Sequence, residues 1–180
     1  MDNIINNVNV LIVIDMQNDF IDGALGTDEA VKIVSKVEEK IRKWEGLVLF
    51  TKDTHNSDYL DTQEGKKLPV PHCIKGTKGW ELNDKLLKYE KCDNVVEKPT
   101  FGSIALADYL YEISDKKGIN SITLVGLCTD ICVISNALLL KAMLPEVPIL
   151  VDAACCAGVT VESHENALKS MEVCQIGIVR

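Results

Sequence analysis

Continuous apolar runs separated by amphipathic stretches constrain this chain more than any other feature. Val10-Leu-Ile-Val-Ile, Leu47-Val-Leu-Phe-Thr and Ile122-Thr-Leu-Val-Gly are apolar at nearly every position, not at every second one. Strands of that kind need cover on both faces, which a parallel sheet between two helical layers provides. Between them, Ala30, Val34, Val37, Ile41 and Trp44 form one stripe at helical spacing, with Thr27 as the expected cap and Gly46 as the stop. Further helices are expected at about 80–89, 103–117 and 160–171, and further strands at 94–97, 147–151 and 173–179. The stretch from Asp53 to about Gly79 reads as a long polar loop, a length that suggests function. The expected fold is therefore a three-layer α/β domain spanning 1–180, with a mostly parallel six-stranded sheet. With 180 residues, 47% of them hydrophobic, the chain can fill such a core.

The net charge of −8, without an evident basic patch, speaks against nucleic acid or an anionic membrane as partner. No apolar run reaches the length of a membrane span. The opening Met1-Asp-Asn-Ile-Ile-Asn-Asn lacks the basic region of a signal peptide, so a cytoplasmic location with reduced thiols is expected. The seven cysteines form no CxxC pair, and their odd number argues against a disulfide framework.

One cysteine stands apart. Gly126-Leu-Cys-Thr-Asp-Ile-Cys132 joins an apolar strand to a helix that Thr129 or Asp130 is expected to cap. That puts Cys132 in the first turn, where unpaired N–H groups favour a thiolate and can cradle an oxyanion. Small core residue and nucleophile are the two readings. In the common strand order 3-2-1-4-5-6, the ligand crevice opens between the first and fourth strands. Asp15 ends the first strand and Cys132 lies just past the fourth, so they are expected to face each other. Asp15 then has a position from which to take a thiol proton, or else it caps a turn. Lys98, just past the third expected strand, lies at the same edge and reads as a cationic partner or as a surface lysine.

Asp15-Met-Gln-Asn-Asp-Phe20, Lys98-Pro-Thr-Phe-Gly-Ser and Gly126-Leu-Cys-Thr-Asp-Ile-Cys132-Val resemble the signature segments of the isochorismatase-like cysteine hydrolases. Asp152-Ala-Ala-Cys-Cys-Ala-Gly followed by His164-Glu-Asn-Ala-Leu resembles that family's C-terminal pattern, so the likeness spans nearly the whole chain. Among its members the chain is most similar to nicotinamidases. The resemblance implies a Rossmann-like sheet and an Asp15, Lys98, Cys132 triad. It also implies a cis peptide between Leu127 and Cys128, and an oxyanion hole from the N–H groups of Cys128 and Cys132. Isochorismatases proper usually lack the cysteine, so its presence favours an amidase working through a thioester.

Asp53-Thr-His55 follows the second expected strand, and His72 lies in the loop with Pro69 and Pro71. Residues two apart in extended chain face the same way, so Asp53 and His55 can share one ion. Their donor types suit zinc, iron or manganese. The resemblance implies a divalent metal, zinc foremost, on Asp53, His55 and His72, with Glu64 as a further ligand. Such a metal would hold the pyridine nitrogen of nicotinamide.

Phe20 and Phe101 are candidates for an aromatic wall, with core packing as the alternative, and Leu127 is expected beside them. The segment Leu68-Pro-Val-Pro-His72 departs from the family in having no aromatic before its prolines. Two substrate readings therefore stand: nicotinamide, or another small amide such as a carbamoyl or ureido compound. A non-catalytic binding domain on the same fold is the third. His164 reads as structural, Trp80 as packing for its short helix, and Cys73, Cys92, Cys155, Cys156 and Cys174 as packing. An apolar helix face and the habit of the family point to a homo-oligomer.

Overall fold

The computed structural model describes residues 7–180, so the leader reading of residues 1–6 lies outside it. In chain order the elements are β1 (Val8–Ile14), α1 (Asn18–Ile21), α2 (Asp28–Lys43), β2 (Leu47–Asp53), α3 (Gln63–Lys67), α4 (Asp84–Leu87) and β3 (Val95–Lys98). Then follow α5 (Ile104–Lys117), β4 (Ile119–Leu127), α6 (Ile134–Met143), β5 (Ile149–Ala157), α7 (Val161–Val173) and β6 (Gly177–Val179). A 3₁₀ turn (Tyr59–Asp61) precedes α3, and a π-type turn (Thr129–Val133) precedes α6.

The sheet has six strands in the order β3-β2-β1-β4-β5-β6, and every strand pair is parallel. The alternation of β1 divides the core. Val10, Ile12 and Ile14 face α5, α6 and α7, while Leu11 and Val13 face α2 and α4. All five are fully buried, which explains why the strand needs no polar face. Among the described residues no helix is long and apolar enough to cross a membrane.

Helix ends follow local chemistry. Thr27 accepts from the Ala30 N–H and Ser103 from the Leu106 N–H. Thr160 and Ser163 form a reciprocal capping box on α7. Several expectations fail at boundaries. The α2 helix stops at Lys43, before Gly46. The expected helix at 80–89 shrinks to α4, because Leu82 instead bridges to Gln17 and Asn83 caps the remaining turn. Trp80 packs elsewhere: its Nε1 donates to Thr54 Oγ1 and its ring lies under the Lys52 ammonium. The polar loop holds a 3₁₀ turn and α3, the latter capped by Thr62. Val173 ends α7 rather than opening β6, and β5 runs on to Ala157. Cys92 and Cys174 are exposed, so they do not serve as core packing.

Gly126 shows how the sheet shapes its carboxyl edge. Its φ is 115°, and a Cβ there would run into the Ile14 backbone. The glycine lets β4 lie close against β1 one residue before Asp15. Gly126→Ala is expected to lower stability by about 2 kcal/mol or more, read from urea unfolding. An unchanged unfolding midpoint would remove this role.

Candidate active site

The carboxyl edge of the sheet brings together groups from four segments. Asp15 follows β1 with φ 45°, a left-handed conformation that aspartate tolerates better than most residues. Its N–H donates to Thr51 Oγ1 at 3.2 Å, and that hydroxyl donates back to Asp15 Oδ1 at 2.6 Å. The other carboxylate oxygen, Oδ2, lies 2.7 Å from Lys98 Nζ. Lys98 Nζ is also 3.4 Å from Cys132 Sγ and 3.3 Å from Asp53 Oδ1. Lys98 is only 1% exposed, so it is not a surface lysine, and Asp15 is fully buried. Cys132 sits in the π-type turn, with neither expected cap in place. Thr129 Oγ1 instead bonds His164 Nδ1 at 2.8 Å, and the Asp130 carboxylate accepts the Val159 N–H. The Leu127–Cys128 peptide is cis, and the Cys128 N–H finds no acceptor among the described residues.

Burial governs the electrostatics. It raises the pKa of Asp15 against the pull of Lys98, and the nearby Asp53 charge adds to the rise. Burial also pushes the Cys132 thiol well above its ordinary range; Asp15 reinforces this and Lys98 opposes it. Burial thus works against the thiolate that a helix terminus would favour, which leaves a role for a base beside Cys132. Burial works against charge on Lys98, but Asp15, Cys132 and Asp53 outweigh it and keep the ammonium protonated. Cys128, half-buried, is pushed up to about 12, chiefly by its desolvation.

A second cluster lies on the other side of Asp53. Asp53 Oδ2 is 2.9 Å from His55 Nε2 and 3.7 Å from His72 Nε2. One ligand atom from each of these three buried residues lies within 4.8 Å of the others. His72 Nδ1 bonds the Val70 carbonyl at 2.8 Å, so its proton sits there and Nε2 keeps a lone pair for the cluster. His55 Nε2 is buried without a well-aligned hydrogen-bond partner. Two imidazole nitrogens and a carboxylate in that arrangement fit a divalent metal. Glu64 Oε1 stands 3.7 and 3.8 Å from the two imidazoles, at the rim of this set. Tyr59 packs its ring on both histidines, with centroids 4.6 and 5.0 Å away.

Both clusters open into one cavity of about 510 Å³. Asp53, Glu64, His72 and Cys132 supply its chemistry, and Phe20, Leu68, Phe101 and Ile131 much of its wall. Leu127 does not line it: the residue is 1% exposed and packs in the core with α2, while Cys128 takes its place in the wall. Thr51, Tyr59 and Asn136 belong to this region without a motif to announce them, and Gln17 joins them from within the Asp15-to-Phe20 segment. Gln17 holds Asp53 at both ends, accepting its N–H at 2.7 Å and donating to its carbonyl at 2.8 Å. A polar residue at a strand end is the signal that could have raised Thr51.

Comparison with known proteins gives this geometry a family. The isochorismatase domain model matches residues 9–179. A nicotinamidase of Schizosaccharomyces pombe is 28% identical, the alignment covering 94% of this chain and 91% of that protein. A protein of Arabidopsis thaliana described as a probable inactive nicotinamidase is 30% identical, over 90% of this chain and 87% of that one. Among solved structures, a pyrazinamidase of Pyrococcus horikoshii in complex with zinc superposes with a TM-score of 0.77 at 29% identity, covering 96% of this chain and 98% of that one. The chain belongs to the isochorismatase family.

Proposed function

We propose that this protein is a metal-dependent amidase that converts nicotinamide and water into nicotinate and ammonia through a thioester on Cys132. The observation that carries the reading is the contact of Lys98 with both Asp15 and Cys132, 2.7 and 3.4 Å away, at the floor of an apolar cavity. The similarity to a nicotinamidase and to a pyrazinamidase supports it.

Asp15 takes the thiol proton as Cys132 Sγ attacks the amide carbonyl carbon. The proton neutralises Asp15 and the negative charge passes through Cys132 Sγ to the substrate oxygen, while the buried Lys98 cation stays beside the pair. The oxyanion is held by the N–H groups of Cys128 and Cys132, each donor worth about 2.7–4 kcal/mol in a protease precedent. Asp15 returns the proton to the departing nitrogen, and ammonia leaves. Asp15 then takes a proton from water as it attacks the thioester, and gives that proton to the Cys132 sulfur when nicotinate is released. Asp53, His55 and His72, with Glu64 at the rim, would hold the divalent cation; the zinc complex of the Pyrococcus protein makes zinc the first metal to test. When bound, the cation supplies a Lewis acid for a ring nitrogen or for water.

A second reading, another small amide on the same triad, is favoured by Leu68, an aliphatic side chain in the wall where an aromatic would stack on a ring. Ammonia release across an amide panel, nicotinamide first, separates the readings. Turnover of another amide with none of nicotinamide would favour the second. No turnover by wild type on any amide would favour a non-catalytic domain.

The acid limb of kcat/KM follows from Asp15. A base must be ionised, and burial raises this carboxyl although Lys98 and the Thr51 hydroxyl pull it down. Activity is therefore expected to fall with decreasing pH at a midpoint above the roughly 3.9 of an ordinary aspartate. A pH profile flat to below that value would rule Asp15 out as the base.

A further inference from the structure

We infer that Asn136 is a positioning residue that latches the nucleophile turn to the segment carrying Lys98 and Phe101. Asn136 is 1% exposed and lies one helical turn beyond Cys132, on α6. Its Nδ2 donates to the Cys132 carbonyl at 2.8 Å and to the Phe101 carbonyl at 3.0 Å. Its Oδ1 accepts the Ser103 N–H at 2.9 Å. One amide thus uses both donors and its acceptor, a combination that a carboxylate, a hydroxyl or an aliphatic side chain of this size lacks.

The topology explains the need for such a latch. Lys98 ends β3, whereas Cys132 follows β4, and β2 and β1 lie between these strands. Below the site, the sheet fixes their spacing through Asp15 and Asp53. Above it, the chain from Pro99 to Ser103 has to be held against α6. Gly102 shows that the two segments are in ordinary contact there, since a Cβ on it would stand 3.4 Å from the Ser135 carbonyl oxygen. Asn136 is the side chain that hydrogen-bonds both segments there, among the described residues. The 3.4 Å separation of Lys98 Nζ and Cys132 Sγ, and the stance of the half-exposed Phe101 wall, both depend on it.

Asn136→Ser is the discriminating variant. A serine hydroxyl still bonds the carbonyl four residues back, but it is too short to reach Phe101 or Ser103. The activity arm rests on the amidase reading; the thiol arm does not. Cys132 alkylation by iodoacetamide, followed on its own peptide, is expected to slow about fivefold or more at fixed pH as Lys98 loosens its hold on the sulfur. In a Lys98→Met background the same change is expected to alter that rate by less than about twofold, because the effect runs through Lys98. With nicotinamide, kcat is expected to fall about tenfold or more and KM to rise as Phe101 shifts. Alkylation at the wild-type rate, or an equal slowing in both backgrounds, would overturn the inference and leave Asn136 a purely structural residue. Should wild type hydrolyse no amide, the amidase reading falls while the alkylation cycle still decides the latch. Asn136→Ala, carried through the same cycle, serves if the serine variant does not fold.

Discussion

Cys132→Ala protein is expected to release ammonia from nicotinamide at least about four orders of magnitude more slowly than wild type, with no compensating change in KM. The size follows from the chemistry: removing a nucleophile removes the covalent path, and what remains is the much smaller help of binding and oxyanion donors. Fold and metal content should survive. Cys132 is a small side chain packed beside Val133 and Ala137, so its loss costs on the order of 1 kcal/mol. Urea unfolding and metal analysis on the same preparation separate lost chemistry from lost structure. A variant retaining full activity would eliminate the thioester. The raised pKa of the thiol adds a second expectation, since a thiol without its base is inert: Asp15→Asn should be nearly as damaging as Cys132→Ala.

The second large effect concerns the metal. Purified protein should carry about one equivalent of a divalent cation, and His72→Ala should weaken its retention by more than about 100-fold. The cause is geometric. His72 presents a lone pair because Val70 fixes its tautomer, and His55 Nε2 is buried with no well-aligned hydrogen-bond partner. Glu64→Gln should cost less, about tenfold in retention, because Glu64 lies at the rim and is partly exposed. Chelated protein should lose most of its nicotinamide turnover while keeping its secondary structure. Full activity in metal-free protein would confine Asp53, His55 and His72 to a structural role.

The fold was legible because its strands are apolar on both faces, which only a doubly covered parallel sheet accommodates; strand order and the facing of Asp15 and Cys132 then followed. Boundaries were less legible where tertiary contacts decide them. Leu82 leaves its expected helix to pair with Gln17, and Val173 completes α7 although its composition suits a strand. In the site, Asp15, Lys98 and Cys132 announce themselves through the signature segments in which they stand. Thr51 and Asn136 did not, since a hydroxyl at a strand end or an amide in a helix is ordinary until its partners are known. Leu127 was misplaced for a related reason. It is the last residue of β4 and packs in the core, and it is Cys128, just past the strand, that faces the cavity. Burial, invisible in the sequence, also works against the thiolate that the position of Cys132 suggested.

The most direct test of the thioester is partition to hydroxylamine during turnover. Nicotinamide and an alkyl ester of nicotinate differ only in leaving group, so a shared acyl-enzyme on Cys132 has to divide between water and hydroxylamine in one ratio for both. The expected result is nicotinohydroxamate in equal proportion to nicotinate from either substrate. Turnover without hydroxamate, or ratios that differ between the two substrates, would contradict an acyl-enzyme on Cys132.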